Sequence, residues 1–591
     1  GFVAFSNGRY KKPQAFSGEV AFDVFKGQDD TLYMQPQDWD DSRYGGFVKL
    51  PITRRDIAQH NLKDGDFVIA HVDYKEGNAS NVELKYVENR AEENQENQIS
   101  VSQKDVKHNN DKGAILPEDG ILTGVVERHN GTLYFSPSLQ GVKDFKLDDE
   151  TLHEGHILQV KVDAQTQRIS DILDDHGSVH QKDGLSKLTL LESGYSLRFP
   201  DGILDDISLT IPKVEDGVRK DFRHVPFITI DPETAKDFDD AIYVENLDND
   251  RKRIYVAIAD VSHYIPTNSK LFAEMVKRGT SIYLPELTIP MLPPELSNEL
   301  CSLKPHEDRA ALVTAIDISA DGQIESFSIE RGLINSHARF EYNEIQDAIE
   351  GNTSERVEPY YESHVKPALE AYEALAKDRV ERGALKLDRV VQRISTTDDG
   401  TRVLEHSEQN ESHSIIEEFM IVTNRCAIQA LIDKDSPLLA RVHGTPNPDT
   451  LKKFIGKLTD LGVVIPAQQL SPEELVENIL EQAQKLPETK DEITELMIRS
   501  QDRAHYSANL DEHYALKLLA YTHFTSPIRR LTDFLVHCLL NDAVGMKGAH
   551  RLDSDQKKQL GEFALQASTT EREADDLQKM AESRLAAKWV E

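Results

Sequence analysis

Three cysteines stand in 591 residues (Cys301, Cys426 and Cys538), far apart and without metal-type spacing. That scarcity excludes a disulfide framework and points to core packing in a reducing cytoplasm. No apolar run approaches a membrane helix in length, which argues against a membrane partner. The opening Gly1-Phe-Val-Ala-Phe-Ser-Asn has neither the charged nor the apolar region of a signal peptide, and the missing initiator Met suggests a trimmed start. Positive charge is also short: 68 Lys and Arg against 103 Asp and Glu give a formal net charge of −35. Taken over the whole chain, this opposes a nucleic-acid partner. Net charge governs solubility and steering, however, and an acidic exterior can still surround a narrow basic channel.

What is present is organised in stages. Residues 14–88 carry short β-rich runs, such as Gly18-Glu-Val-Ala-Phe22, closing with Asp64-Gly-Asp-Phe-Val-Ile-Ala-His-Val72. A very polar stretch, 89–112, reads as a linker. Residues 113–195 repeat the first pattern and end on Glu154-Gly-His-Ile-Leu-Gln-Val-Lys-Val162. An acidic residue, Gly and a closing strand, twice over, predict two small β-barrels of the OB or cold-shock kind. Phe16, Tyr33 and Tyr134 could stack on bases there, although filling the barrel cores is the commoner use of such rings. From about 200 to 591 strands alternate with long helices, an α+β texture.

Within that last region, Val225-Pro-Phe-Ile-Thr-Ile230 and Ala241-Ile-Tyr-Val244 read as buried strands. Between them lies Asp231-Pro-Glu-Thr-Ala-Lys-Asp237-Phe-Asp239-Asp240. Four aspartates in one turn repel one another, and burial sharpens the repulsion. Hard divalent cations would relieve it; oxygen-only ligands, with no His or Cys nearby, point to Mg²⁺ or Mn²⁺. A solvated acidic loop is the bland alternative. An EF-hand loop does not fit, because its central Gly and terminal Glu are missing.

Two further motifs stand out. Ser414-Ile-Ile-Glu417-Glu418 reads as a helix start in which Ser414 and Glu417 form a capping box, a structural use as reasonable as a site role. Thr525-Ser526-Pro527-Ile-Arg529-Arg530 predicts a helix with Ser526 as N-cap and Pro527 at its first position. Arg529 and Arg530 then oppose the helix dipole unless an anion binds there, which favours a phosphate site over two solvated arginines. Pro285, Pro290, Pro293 and Pro294 forbid a regular helix or central strand around Tyr283-Leu-Pro, a shaped loop that could hold Tyr283 at a site mouth.

The order of these motifs, with Arg441-Val-His443 between them, resembles the ribonuclease II and ribonuclease R (RNB) family over residues 200–590. The resemblance implies a processive, hydrolytic 3′→5′ exoribonuclease that degrades single-stranded RNA to 5′-mononucleotides with Mg²⁺ in a two-metal mechanism. It implies Asp231, Asp237, Asp239 and Asp240 as metal ligands, with Asp239 and Asp240 catalytic. Tyr283 matches the tyrosine stacking on the 3′-terminal nucleotide, and Tyr342 a second site tyrosine. Glu417 and Arg529 match a catalytic carboxylate and the phosphate-gripping arginine. Arg530 and Glu582 are further RNA contacts by the same resemblance. A cytoplasmic monomer is expected, without a small-molecule cofactor.

Three positions depart from the family pattern. Leu387 stands where an aromatic clamp is usual. An aromatic after Arg530 and an Arg after His537 are replaced by Leu531 and Cys538. The sequence stops at Glu591, where a third, S1-type barrel normally begins, so weaker RNA capture is expected. The rival readings are a catalytically weak or inactive RNA-binding regulator of the same fold, and a metal-dependent DNA nuclease or phosphatase.

Overall fold

The computed structural model describes residues 117–590 with short breaks at 118, 140–141, 150, 164–165, 167, 215–216, 386–390, 397–401, 408–409 and 467–469. Before them it describes only the strands named next. The chain divides into two units, Gly1–Lys112 and Gly113–Glu591. In the first, a hairpin of Ala4–Ser6 with Arg9–Lys11 precedes β1 (Phe16–Lys26), β2 (Leu32–Pro36), β3 (Leu50–Pro51), β4 (Phe67–Lys75) and β5 (Asn78–Glu88). Those five form one antiparallel sheet in the order β3-β2-β1-β4-β5. The side chains of Phe16 and Tyr33 lie outside the described residues.

The second unit opens with the same strand order. Its strands are β6 (Ile121–His129), β7 (Thr132–Pro137), β8 (Phe145–Lys146), β9 (His156–Asp163) and β10 (Arg168–Ser178), arranged β8-β7-β6-β9-β10. Alternation along β6 buries Leu122, Gly124 and Val126, and a small core forms from Leu122, Val126, Phe135, Leu158 and Val160. Gly155, at φ +81°, supplies the left-handed turn that leads into β9. Tyr134 is half-buried on the alternate face of β7.

The large sheet that follows holds β11 (Lys220–Asp221), β12 (Ile228–Asp231), β13 (Asp240–Asn246), β14 (Lys252–Ala259), β17 (Asp308–Ile318), β18 (Ile324–Asn335) and β19 (Ala338–Glu341). A separate small hairpin, β15 (Ile282–Leu284) with β16 (Leu287–Ile289), lies between β14 and β17 in sequence. The sheet order is β11-β18-β17-β14-β13-β12-β19, parallel at both outer pairs and antiparallel within. Near-continuous apolar runs, such as Ile254 to Ala259, suit strands covered on both faces. Five helices carry the rest of the argument: α1 (Lys270–Arg278), α2 (Tyr342–Ile349), α3 (Lys366–Glu381), α4 (Glu411–Asp433) and α5 (Leu531–Ala543). Their apolar residues, Phe419 and Phe534 among them, share one core with Ile228, Val256 and Leu312 of the sheet. The final helix, α6 (Leu560–Val590), spans 31 residues. All three cysteines are buried and free, as core packing requires.

Candidate active site

β12 ends on Asp231 and β13 begins on Asp240, and Ile228 pairs with Ile242, so the aspartate stretch is the connection between neighbouring strands. Phe238 is buried at 8 % exposure and pins the loop inward, with its N–H donating to Ser302 Oγ at 3.1 Å. Asp239 is buried at 6 %; its Oδ1 accepts from the Ile528 N–H at 2.9 Å, and its Oδ2 lies 3.8 Å from Arg529 Nε. Asp231 Oδ2 is buried and accepts no hydrogen bond.

Burial pushes all four carboxyls upward in pKa. Asp239 stands well above the ordinary carboxylate range, chiefly through burial, against the pull of Arg529 and the Ile528 N–H. Asp231 is raised by burial and then by the neighbouring Asp240 charge, with Arg339 opposing. Asp240 is pushed up to about 7 by burial, and Asp237 is raised by burial with the Arg529 charge opposing. A buried acceptor without a donor, beside three more carboxyls that are costly to ionise, suits a divalent cation. Among the described residues, no three Asp, Glu, His or Cys side chains already form a shell that could hold an ion.

Tyr283 sits at the centre of the β15–β16 hairpin, 43 % exposed between the buried Ile282 and Leu284. Pro285 lies in the two-residue turn and Pro290 follows β16, which leaves room for two three-residue strands. Ser281 N–H and Thr280 Oγ1 both donate to the Arg529 carbonyl, at 2.9 and 3.0 Å, tying this hairpin to the arginine turn. Gly279 before it is at φ +65°, where a Cβ would fall 1.9 Å from Thr570 Oγ1 of α6.

The arginine turn corrects the expected helix start. Ser526 caps no helix; α5 begins at Leu531, and Arg530 is its N-cap residue. The cause is Asp533 in the first turn. Its Oδ1 accepts from the Ser526 N–H at 2.8 Å, and its two oxygens take Arg530 in a paired contact at 2.8 Å each. Arg530 is therefore neutralised inside the chain, only 18 % of its side chain being exposed. Arg529 is 43 % exposed at its side chain, bonded to Ser526 Oγ at 3.0 Å.

The expected capping box at Ser414 is likewise corrected. Helix α4 starts at Glu411 and Asn410 caps it, accepting from the His413 N–H at 3.3 Å. Glu417 pairs instead with Arg379 at 3.3 Å, and the same arginine holds the buried Glu418 at 2.5 Å. Tyr342 opens α2, and the charges of Asp240 and Asp231 add to burial in raising its hydroxyl pKa, so it faces the carboxylate cluster. Its ring stacks on His413 with centroids 3.9 Å apart and planes 10° off parallel.

The structure thus gathers Asp231, Asp237, Asp239, Asp240, Arg529, Tyr283 and Tyr342 around one loop. Glu582 is half-buried on α6, bonded to Gln578 at 2.8 Å. Its neighbour Ala581 packs in a small core with the Ile282 and Leu284 that flank Tyr283. Leu387 lies outside the described residues. Sequence reading missed Arg339 and His413. Arg339 Nη2 donates to the carbonyls of Pro232 at 2.6 Å and Glu233 at 3.1 Å, bracing the aspartate loop. Asn410, an ordinary N-cap residue three before His413, was the available signal for the latter.

Residues 219–545 match the family model described as the RNB domain. The chain is 33 % identical over 395 residues to ribonuclease R of Vibrio parahaemolyticus serotype O3:K6 (strain RIMD 2210633), covering 64 % of this chain and 46 % of that protein. Ribonuclease R of Thermotoga maritima is 33 % identical over 421 residues, covering 70 % of this chain and 59 % of the relative. The chain spans about half the length of the relatives it matches. Among solved structures, Mycoplasma genitalium RNase R in complex with ribose-methylated single-stranded RNA has a TM-score of 0.71 at 21 % identity, over 96 % of this chain and 86 % of that one. Yeast Ssd1, a pseudonuclease, follows the same fold at a TM-score of 0.63 and 15 % identity, over 96 % of this chain and 74 % of its own. With an RNB domain matched across more than half its length, on a ribonuclease R-like fold, the chain belongs to the RNB family.

Proposed function

We propose that the protein is a processive 3′→5′ exoribonuclease that hydrolyses single-stranded RNA to 5′-mononucleotides. The observation that carries this is the four-aspartate loop, with Asp239 buried, the other three half-buried and one Asp231 oxygen unpartnered, facing Arg529 and an exposed Tyr283. Relatives named ribonuclease R, and a similar fold seen with single-stranded RNA, support the same reading. Mg²⁺, or Mn²⁺ in its place, held by Asp231, Asp237, Asp239 and Asp240, would supply activation of water and stabilisation of the leaving oxygen in a two-ion arrangement.

The chain's own residues would do the rest. Arg529, exposed and only distantly paired with Asp239, grips the scissile phosphate and offsets the charge that develops on it. Water's oxygen bonds to phosphorus as the bond to the 3′-oxygen breaks; the shortened strand keeps a 3′-hydroxyl and the 5′-monophosphate departs. Tyr283 stacks on the end base, a contact that tolerates any sequence. Tyr342 and Glu417 lie on the ribose side of this reading, where contacts to the 2′-hydroxyl would distinguish RNA from DNA. Arg530 acts through Asp533, holding the turn that aims Arg529. Glu582 is a further contact from α6.

The remaining assignments belong to the same proposal. Residues 14–88 and 113–195 are OB or cold-shock-like RNA platforms joined by a linker at 89–112, and 200–591 is the catalytic domain. The protein works as a cytoplasmic monomer. A time course on 5′-labelled single-stranded RNA tests the function. The expected result is a ladder shortening to a small limit product, stopped by EDTA. An unchanged band favours a non-degrading RNA binder, while equal cleavage of DNA or a small phosphomonoester favours a broader phosphatase or nuclease.

A further inference from the structure

The loop that carries the carboxylates also walls a separate cavity of about 840 Å³, none of whose lining residues is Asp231, Asp237, Asp239 or Asp240. Glu233, Lys236 and Phe238 come to it from the loop, and Lys304, His306 and Arg339 from elsewhere. In a chain of net charge −35 this lining departs from the whole: four Lys and Arg side chains stand against three glutamates, with two histidines beside them.

Its cations differ in availability. Arg356 bonds Glu344 at 2.7 Å, and the Arg339 bonds go to loop carbonyls and Glu341. Lys236 is exposed and pairs with no acidic side chain among the described residues. Lys304 meets Glu299 at 2.6 Å, but that glutamate is 65 % exposed, and a surface pair of this kind exchanges cheaply for a better anion. His306 is exposed and held at φ +64°, a backbone conformation rare for a residue with a side chain. Its N–H donates to the Ser336 carbonyl at 2.7 Å, which brings it beside His337. The volume exceeds what a phosphate alone would need and falls in the range of small-molecule pockets. A half-buried aromatic face is at hand in Tyr360, its ring fixed edge-on to Phe340 with centroids 5.2 Å apart.

We propose that this cavity binds a nucleoside 5′-monophosphate, with the phosphate among Lys236, Lys304 and His306 and the base against Tyr360. Naming that ligand as the reaction product rests on the exoribonuclease reading; the site itself does not. Arg339 lines the cavity and bonds the Pro232 and Glu233 carbonyls of the aspartate loop, so the two sites share this side chain.

The test is equilibrium binding of uridine 5′-monophosphate to the full 591-residue chain in EDTA, beside inorganic phosphate and uridine. The nucleotide is expected to bind more tightly than either fragment. The Lys236→Ala/Lys304→Ala pair, checked for an unchanged melting curve, should weaken it about tenfold or more, the scale of a lost charge-assisted hydrogen bond. Lys304→Arg should retain binding, and Asp240→Asn should leave it intact. No binding, no change in the lysine pair, loss in Asp240→Asn, or phosphate binding as tightly as the nucleotide would each overturn the proposal. Nucleotide binding in a chain that cleaves no RNA sinks the exoribonuclease reading and keeps the site; cleavage without nucleotide binding does the reverse.

Discussion

Asp240 begins β13, and Asp260 follows directly on the end of β14, the strand paired with it. Asp260 is fully buried and Asp240 half-buried, and their surroundings differ. Asp260, fully buried, accepts from Arg219 at 2.5 Å, Arg331 at 3.0 Å and Ser262 at 2.6 Å. Two guanidinium groups outweigh its burial and hold its pKa well below the ordinary range. Asp240 has only Arg529 to oppose its burial and is pushed up to about 7. A carboxylate balanced within the chain serves the fold. A cluster left short of positive charge is where a ligand's charge has something to do.

Breaking the balanced site should have the largest effect. Asp260→Ala leaves two buried arginines without their counter-charge, and a loss of about 3–5 kcal/mol in urea unfolding is expected. A near-neutral result would show that the arginines find other acceptors. Next comes the unbalanced site. Asp240→Asn should slow mononucleotide release by at least about a hundredfold, using the scale for lost electrostatic stabilisation at a reacting centre. Single-stranded RNA should still bind, since a negative charge has been removed; loss of both together would contradict the assignment.

The third prediction concerns pH. Because the folded pKa of Asp240 is raised from 3.8 to about 7, its contribution to stability is full below the lower value and is lost as pH rises through the upper one. Asp260 works the other way: its contribution is present above 3.8 and lost as pH falls. Mg²⁺ should therefore raise the melting temperature at about pH 8 and far less at about pH 5. At a hundredfold excess over Kd the gain is about 2.7 kcal/mol. An equal gain at both pH values would place the ion elsewhere. The smallest effect separates stacking from hydrogen bonding at Tyr283. Tyr283→Phe, which keeps the ring, should leave RNA-end affinity close to that of the unaltered chain. Tyr283→Ala should lose about 1–3 kcal/mol of RNA-end affinity instead, measured by filter binding.

The aspartate turn was readable in advance because a strand–turn–strand pattern and like-charge crowding are both local. The same local logic makes the arginine motif a helix start, whereas the helix begins at Leu531. Asp533 lay two residues into the actual helix, and its side chain folds back on both Ser526 and Arg530. Glu417 failed similarly as a cap: its partner, Arg379, is 38 positions away. Local rules weigh neighbours along the chain, whereas these contacts cross elements.

By itself the sequence determined the two repeated β-rich stretches, the carboxylate loop and the tyrosine between prolines, since alternation, charge density and backbone restriction act over a few residues. Only the tertiary structure decided which charges are balanced. It set Arg219 and Arg331 on Asp260, gave Arg530 to Asp533, and left Arg529 reaching for Asp239 at 3.8 Å. Burial and the distance to a counter-charge fix the state of a carboxylate, and neither exists until strands and helices distant in sequence are packed together.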